Sequence, residues 1–106
     1  MNDTRFHQLV DETLESVEEQ LDGYDGDNDI DYEIQGNVMT ITFENGTKII
    51  INSQEAMHQI WLATKTGGYH FDYKDNGWFC DRTGLSFFEL LSKSCSEQSG
   101  DTIKFN

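Results

Sequence analysis

Val38-Met39-Thr40-Ile41-Thr42-Phe43, followed by Glu44-Asn45-Gly46-Thr47 and then Lys48-Ile49-Ile50-Ile51, reads as a strand, a turn and a second strand. β-branched and aromatic residues fill both arms, and Asn-Gly is the dipeptide that best fits the positive-φ positions of a tight hairpin. A lone hairpin is at best marginally stable, so the flanking sequence has to supply more strands or a helix to cover its apolar side. Upstream, Asp29-Ile30-Asp31-Tyr32-Glu33-Ile34 alternates with period two, which predicts Ile30, Tyr32 and Ile34 inward and the three carboxylates on the other face. Gly36-Asn37 joins that strand to the hairpin. Downstream, the pattern predicts a loop over 52–56, a strand over 58–63, a turn at Gly67-Gly68, a strand over 69–73, and Asn76-Gly77 leading into a strand over 78–80.

The two ends carry helical periodicity. Phe6, Leu9, Val10, Leu14, Val17 and Leu21 recur at steps of three and four, and Gly23 and Gly26 stop the run. Ser86-Phe87-Phe88-Glu89 has the Ser-to-Glu spacing of a capping box. It opens a second helix that reaches Gly100, with Phe87, Phe88, Leu91 and Cys95 inward and Ile103 and Phe105 as a packed tail. Helix, about six hairpin-linked strands and helix make an α+β two-layer sandwich, with N- and C-terminal helices on one face of an antiparallel sheet. With 106 residues and 12.2 kDa, the chain is expected to form a single domain over 1–106.

Charge narrows the function. The net charge is −13. Residues 1–33 hold twelve carboxylates and one base, Arg5, so nearly all the excess lies on the first helix and first strand. Such a chain is repelled by phosphate backbones and anionic lipid, so neither nucleic acid nor membrane is an expected partner. Leu, Ile, Val and Phe number 25, above the roughly 20% expected of disordered chains. Met1–Phe6 lacks the features of a signal or transit peptide, and no apolar run approaches the ~20 residues of a membrane span. Cys80 and Cys95 have no metal-ligand or redox spacing. Together these predict a cytoplasmic protein with both thiols free and buried.

Nucleophile-elbow, Walker, dinucleotide-binding and zinc-protease motifs are all missing. A calcium loop beginning at Asp25 would need glycine at its sixth position and glutamate at its twelfth, where Ile30 and Gly36 stand. The first helix is more telling. Asp3, His7, Asp11, Glu15, Glu18 and Asp22 follow helical steps and form one stripe on the flank of the buried face, with Glu12 and Glu19 further round. Like charges at these spacings repel by roughly 0.2–0.5 kcal/mol per pair, and from Asp11 to Asp22 no Lys or Arg relieves them. Open carboxylates suit hard cations such as iron, calcium, magnesium or manganese, held weakly, and equally suit a basic protein. Asp3, His7 and Asp11, one turn apart, could hold a transition metal better than the carboxylates alone. In Gln59-Ile60-Trp61-Leu62, strand alternation sets Trp61 opposite Ile60 and Leu62, but leaves open which side is buried.

Taken together, the chain resembles the frataxin family in its short bacterial form. The likeness rests on the acidic helix, Asp25-Gly26-Asp27, Thr40-Ile41-Thr42-Phe43-Glu44-Asn45-Gly46, and Asn52-Ser53-Gln54 followed by Gln59-Ile60-Trp61-Leu62-Ala63. It continues through Gly67-Gly68-Tyr69-His70-Phe71-Asp72, Trp78 and Asp81-Arg82-Thr83-Gly84. Ala56 departs from the proline usual there. The resemblance implies a frataxin sandwich that binds ferrous or ferric iron weakly along Asp11, Glu12, Glu15, Glu18, Glu19, Asp22, Asp25, Asp29, Asp31 and Glu33. It implies a regulator of iron–sulfur cluster assembly whose partners are the cysteine desulfurase and its scaffold protein. Glu18, Glu19 and Asp22, with Asn52, Gln59 and an exposed Trp61, would touch the partner. The protein would be monomeric, with metal-dependent oligomers conceivable and other divalent cations able to substitute. An iron-oxidising enzyme or iron store is the alternative; the binding protein is preferred because no Glu-x-x-His pairs mark a di-iron site.

Overall fold

The computed structural model describes residues 1–106. Asn2 caps the first helix, α1 (Asp3–Asp22), its side-chain oxygen accepting from the Arg5 N–H at 2.8 Å. Phe6, Leu9, Val10, Leu14, Val17 and Leu21 are all buried, as their spacing predicts, and Gly23 closes the helix. Strands β1 (Asp31–Gln35), β2 (Val38–Thr42), β3 (Lys48–Gln54), β4 (Gln59–Thr64), β5 (Gly67–Lys74) and β6 (Gly77–Cys80) form one antiparallel sheet in sequence order. The last helix, α2 (Phe87–Ser99), opens with the complete capping box of Ser86 and Glu89 and ends on Gly100 at φ +77°. The α+β sandwich is therefore as expected. Both helices cover one face, and Phe6, Val17, Met39, Ile41, Ile49, Ile51, Ile60, Leu62, Phe71, Phe87 and Leu91 fill the layer between.

Several local expectations are corrected. The first strand begins at Asp31, and Ile34, although on the helix side, is 38% exposed because β1 is an edge strand beyond the cover of the helices. The expected loop at 52–54 is strand: β3 runs on to Gln54, and a 3₁₀ turn over Glu55–Met57 makes the connection. His58 is not a strand residue; it takes the left-handed conformation at φ +50° to close that turn. The β4–β5 turn is Lys65-Thr66, and Gly67 and Gly68 already belong to β5. In α2, Leu90 is buried where Phe88 was expected, and Phe88 is half-buried against the core. Every buried side-chain polar atom is hydrogen-bonded. Trp78, for example, donates to the Thr13 hydroxyl at 3.1 Å, which in turn donates to the Leu9 carbonyl.

Candidate functional site

Two surfaces carry the residues singled out in the sequence. The first is the flank of α1. Asp11, Glu15, Glu19 and Asp22 are exposed and Glu18 is half-buried, with no basic residue in the last turn of the helix. Asp22 accepts from the Tyr32 hydroxyl at 2.8 Å, joining the helix to β1 and pushing the Tyr32 phenol upward. Glu12, further round the helix as its spacing predicts, is exposed and lines with Ser16 and Phe88 a cleft of about 300 Å³ between the helices. Asp31 and Glu33 alternate with Tyr32, so they lie on the opposite, open face of the sheet, across from Thr42 and Thr40. Asp25 and Asp29 lie exposed in the connection between α1 and β1. The twelve expected ligands are thus spread over a helix flank, a loop and a sheet edge. Nowhere do three or more of His, Cys, Asp and Glu converge on one coordination position.

The expected Asp3, His7 and Asp11 grouping is rearranged. His7 Nε2 lies 2.8 Å from Glu55 Oε2, and His58 Nε2 lies 2.7 Å from Asp3 Oδ1. Each histidine is turned toward the other element rather than along the helix, because the first turn of α1 rests on the 3₁₀ turn. The Phe6 ring sits 5.1 Å from His58, beneath these pairs. The His58 hydrogen bond holds the Asp3 carboxyl below the usual range. Asp11 takes no part. Glu55 and His58 carried no sequence signal as partners, since they lie 48 and 55 residues from His7 and Asp3.

The second surface is the open face of the sheet. Ile60 and Leu62 are buried at 1% under the helices, which puts Trp61 on the uncovered side. Trp61 is nonetheless only half exposed. The His70 ring stacks on the indole at 4.2 Å and 10°, and the indole N–H donates to Gln59 Oε1 at 2.9 Å. Gln59, expected as a contact residue, is 9% exposed and donates to Asp72 Oδ1 at 3.0 Å. Asn52 stands opposite Trp61 on β3, and the Asn37 amide donates to its Oδ1 at 3.3 Å. Ile50 is 39% exposed beside them, lining with Trp61 and His70 a shallow hollow of about 140 Å³.

Residues 1–101 match the model of the frataxin-like domain. The chain belongs to the frataxin-like family. Among solved structures, the frataxin from Psychromonas ingrahamii, a member of the CyaY protein family, is 42% identical; the match covers 100% of this chain and 99% of that one, with a TM-score of 0.92. A trimeric frataxin from the yeast Saccharomyces cerevisiae, in a ferrous complex, is 26% identical over 91% of this chain and 86% of that one, with a TM-score of 0.68. A second trimeric yeast frataxin, with a full-length N-terminus, is 29% identical over 85% and 74%, with a TM-score of 0.66. The frataxin sandwich inferred from the sequence motifs is therefore the fold of this chain.

Proposed function

We propose that this frataxin-like protein handles iron on the acidic flank of α1 and docks, through its open sheet face together with Glu18, Glu19 and Asp22 of that flank, on the cysteine desulfurase and scaffold that build iron–sulfur clusters. It acts as a cytoplasmic regulator rather than as an enzyme. One observation carries the reading: a row of carboxylates from Asp11 to Asp22 on α1, all exposed but the half-buried Glu18, with no Lys or Arg among them, a costly arrangement for a surface whose only task is solubility. The ferrous complex of the yeast relative supports iron as the cargo, and the trimeric state of the yeast frataxins supports oligomers as part of the same proposal. Unclustered carboxylates on an open surface bind ferrous or ferric iron weakly and admit other divalent cations, which suits transient handling better than storage. The desulfurase and its scaffold enter as partners through family membership, and Trp61, Asn52 and Ile50 give them an aromatic anchor with a mixed rim.

The test is isothermal titration of purified bacterial cysteine desulfurase with this protein, with and without ferrous iron under anaerobic conditions. The proposal expects saturable binding that Trp61→Ala and the combined Glu18→Gln, Glu19→Gln and Asp22→Asn changes each weaken. Binding that neither variant alters, or none at all, would reject the docking surface. In a separate aerobic assay, rapid oxygen-dependent turnover of ferrous iron would favour the oxidase instead.

A further inference from the structure

Trp61 sits in a block of four side chains that the antiparallel register assembles. Gln59 faces Asp72 and Trp61 faces His70 across the β4–β5 pair. The polar links run one way only. An ionised carboxylate only accepts and an indole N–H only donates, so the amide between them must present its NH₂ to Asp72 and its oxygen to Trp61. Gln59 is almost fully buried, so a flipped amide would face oxygen to oxygen and N–H to N–H with little water to relieve either clash. The amide orientation is therefore fixed by Asp72, and the indole orientation by the amide. The His70 ring closes one face of the indole in near-parallel stacking.

We propose that Asp72, acting through Gln59, and His70 are positioning residues that lock the Trp61 indole in a single orientation before a protein partner arrives. The inference rests on the docking role assigned above to the sheet face. Pre-setting an aromatic side chain removes the ordering cost that a mobile one incurs on binding. Asp72 does so without contacting the partner itself.

The experiment follows the Trp61 indole N–H in ¹⁵N-labelled protein, with the buried Trp78 indole as internal reference, and measures affinity for purified cysteine desulfurase. Asp72→Ala should lower the heteronuclear NOE of the Trp61 indole, leave the Trp78 signal unchanged, and weaken binding by roughly two- to tenfold, the scale of ordering one side chain on binding. Asp72→Asn, whose oxygen can accept the same bond, should restore both readouts, and His70→Ala, which removes the stacked ring, should lower the same NOE and serves if Asp72→Ala folds poorly. In a Trp61→Phe background, which has no N–H to hold, Asp72→Ala should change affinity no further. An unchanged indole signal in Asp72→Ala overturns the proposal. So does an affinity loss that persists undiminished in Trp61→Phe, because Asp72 would then be touching the partner directly. Failure of the docking role shows separately, as Trp61→Ala binding as tightly as the parent, and the NOE still decides whether Asp72 orders the indole.

Discussion

Neutralising the C-terminal half of the acidic stripe should stabilise the fold. In α1, Glu15–Glu18, Glu15–Glu19, Glu18–Asp22 and Glu19–Asp22 are all i,i+3 or i,i+4 neighbours. Each like-charge pair costs roughly 0.2–0.5 kcal/mol, so removing all four with Glu18→Gln, Glu19→Gln and Asp22→Asn should recover about 1–2 kcal/mol. Glu19 and Asp22 also face the negative end of the helix dipole with no cation nearby, which adds a few tenths of a kcal/mol. Gln and Asn match Glu and Asp in helix propensity, and the amide that Asp22→Asn introduces would retain an oxygen for the Tyr32 hydroxyl. For a domain of this size about 1 kcal/mol corresponds to ~4–8 °C, so Tm in low salt should rise by about 5–10 °C. Circular-dichroism melts at low and at ~1 M salt are the assay. These side chains are about 5–6 Å apart and the screening length at 1 M is about 3 Å, so most of the gain should vanish there. A variant that melts at or below the parent in low salt, or gains as much in high salt, would refute the electrostatic reasoning.

The two tryptophans should differ in stability cost. Trp61→Ala, removing a half-buried ring from the open sheet face, should cost about 1–2 kcal/mol, whereas Trp78→Ala, which empties a core position and strips the Thr13 hydroxyl of its indole donor, should cost about 3–5 kcal/mol; equal losses in denaturant melts would place Trp61 in the core. Because His58 holds the Asp3 carboxyl low, that pair adds stability above the ordinary Asp value of 3.8 and loses it as pH falls through the lowered one. His58→Asn keeps a residue tolerant of positive φ while removing the imidazole, so it should flatten the acid end of the stability-versus-pH curve; an unchanged acid limb would show the pair to be inert. Cys95 is buried and its thiol pushed up to about 12, so it should resist alkylation at pH 8 until the chain is unfolded. At Cys80 burial pushes upward, but hydrogen bonds from Thr83 and Arg82 overcome it and leave the thiol below its usual value. Cys80 should therefore be labelled first as native-state opening begins, and mass-resolved labelling in the reverse order would contradict this.

The legible parts of this protein are those set by neighbours along the chain. Helical spacing placed Phe6 to Leu21 in the core, Asn45-Gly46 and the Ser86–Glu89 box marked a turn and a helix start, and the unrelieved carboxylates from Asp11 to Asp22 marked an acidic flank. Each of these depends on residues within four positions, where backbone geometry alone decides which side chains meet. Strand alternation could not decide whether Trp61 or Ile60 and Leu62 faced the helices, because both registers satisfy period two; the helix layer chose by covering the two aliphatics. Nor could it foresee that Ile34, on the correct face, would reach past that layer at the sheet edge. The pairing of Asp3 with His58 and of His7 with Glu55, and the Asp72–Gln59–Trp61–His70 block, arise only when α1 settles on the 3₁₀ turn and β4 finds its register with β5. Those contacts join residues far apart in sequence, and tertiary packing brought them within hydrogen-bond reach.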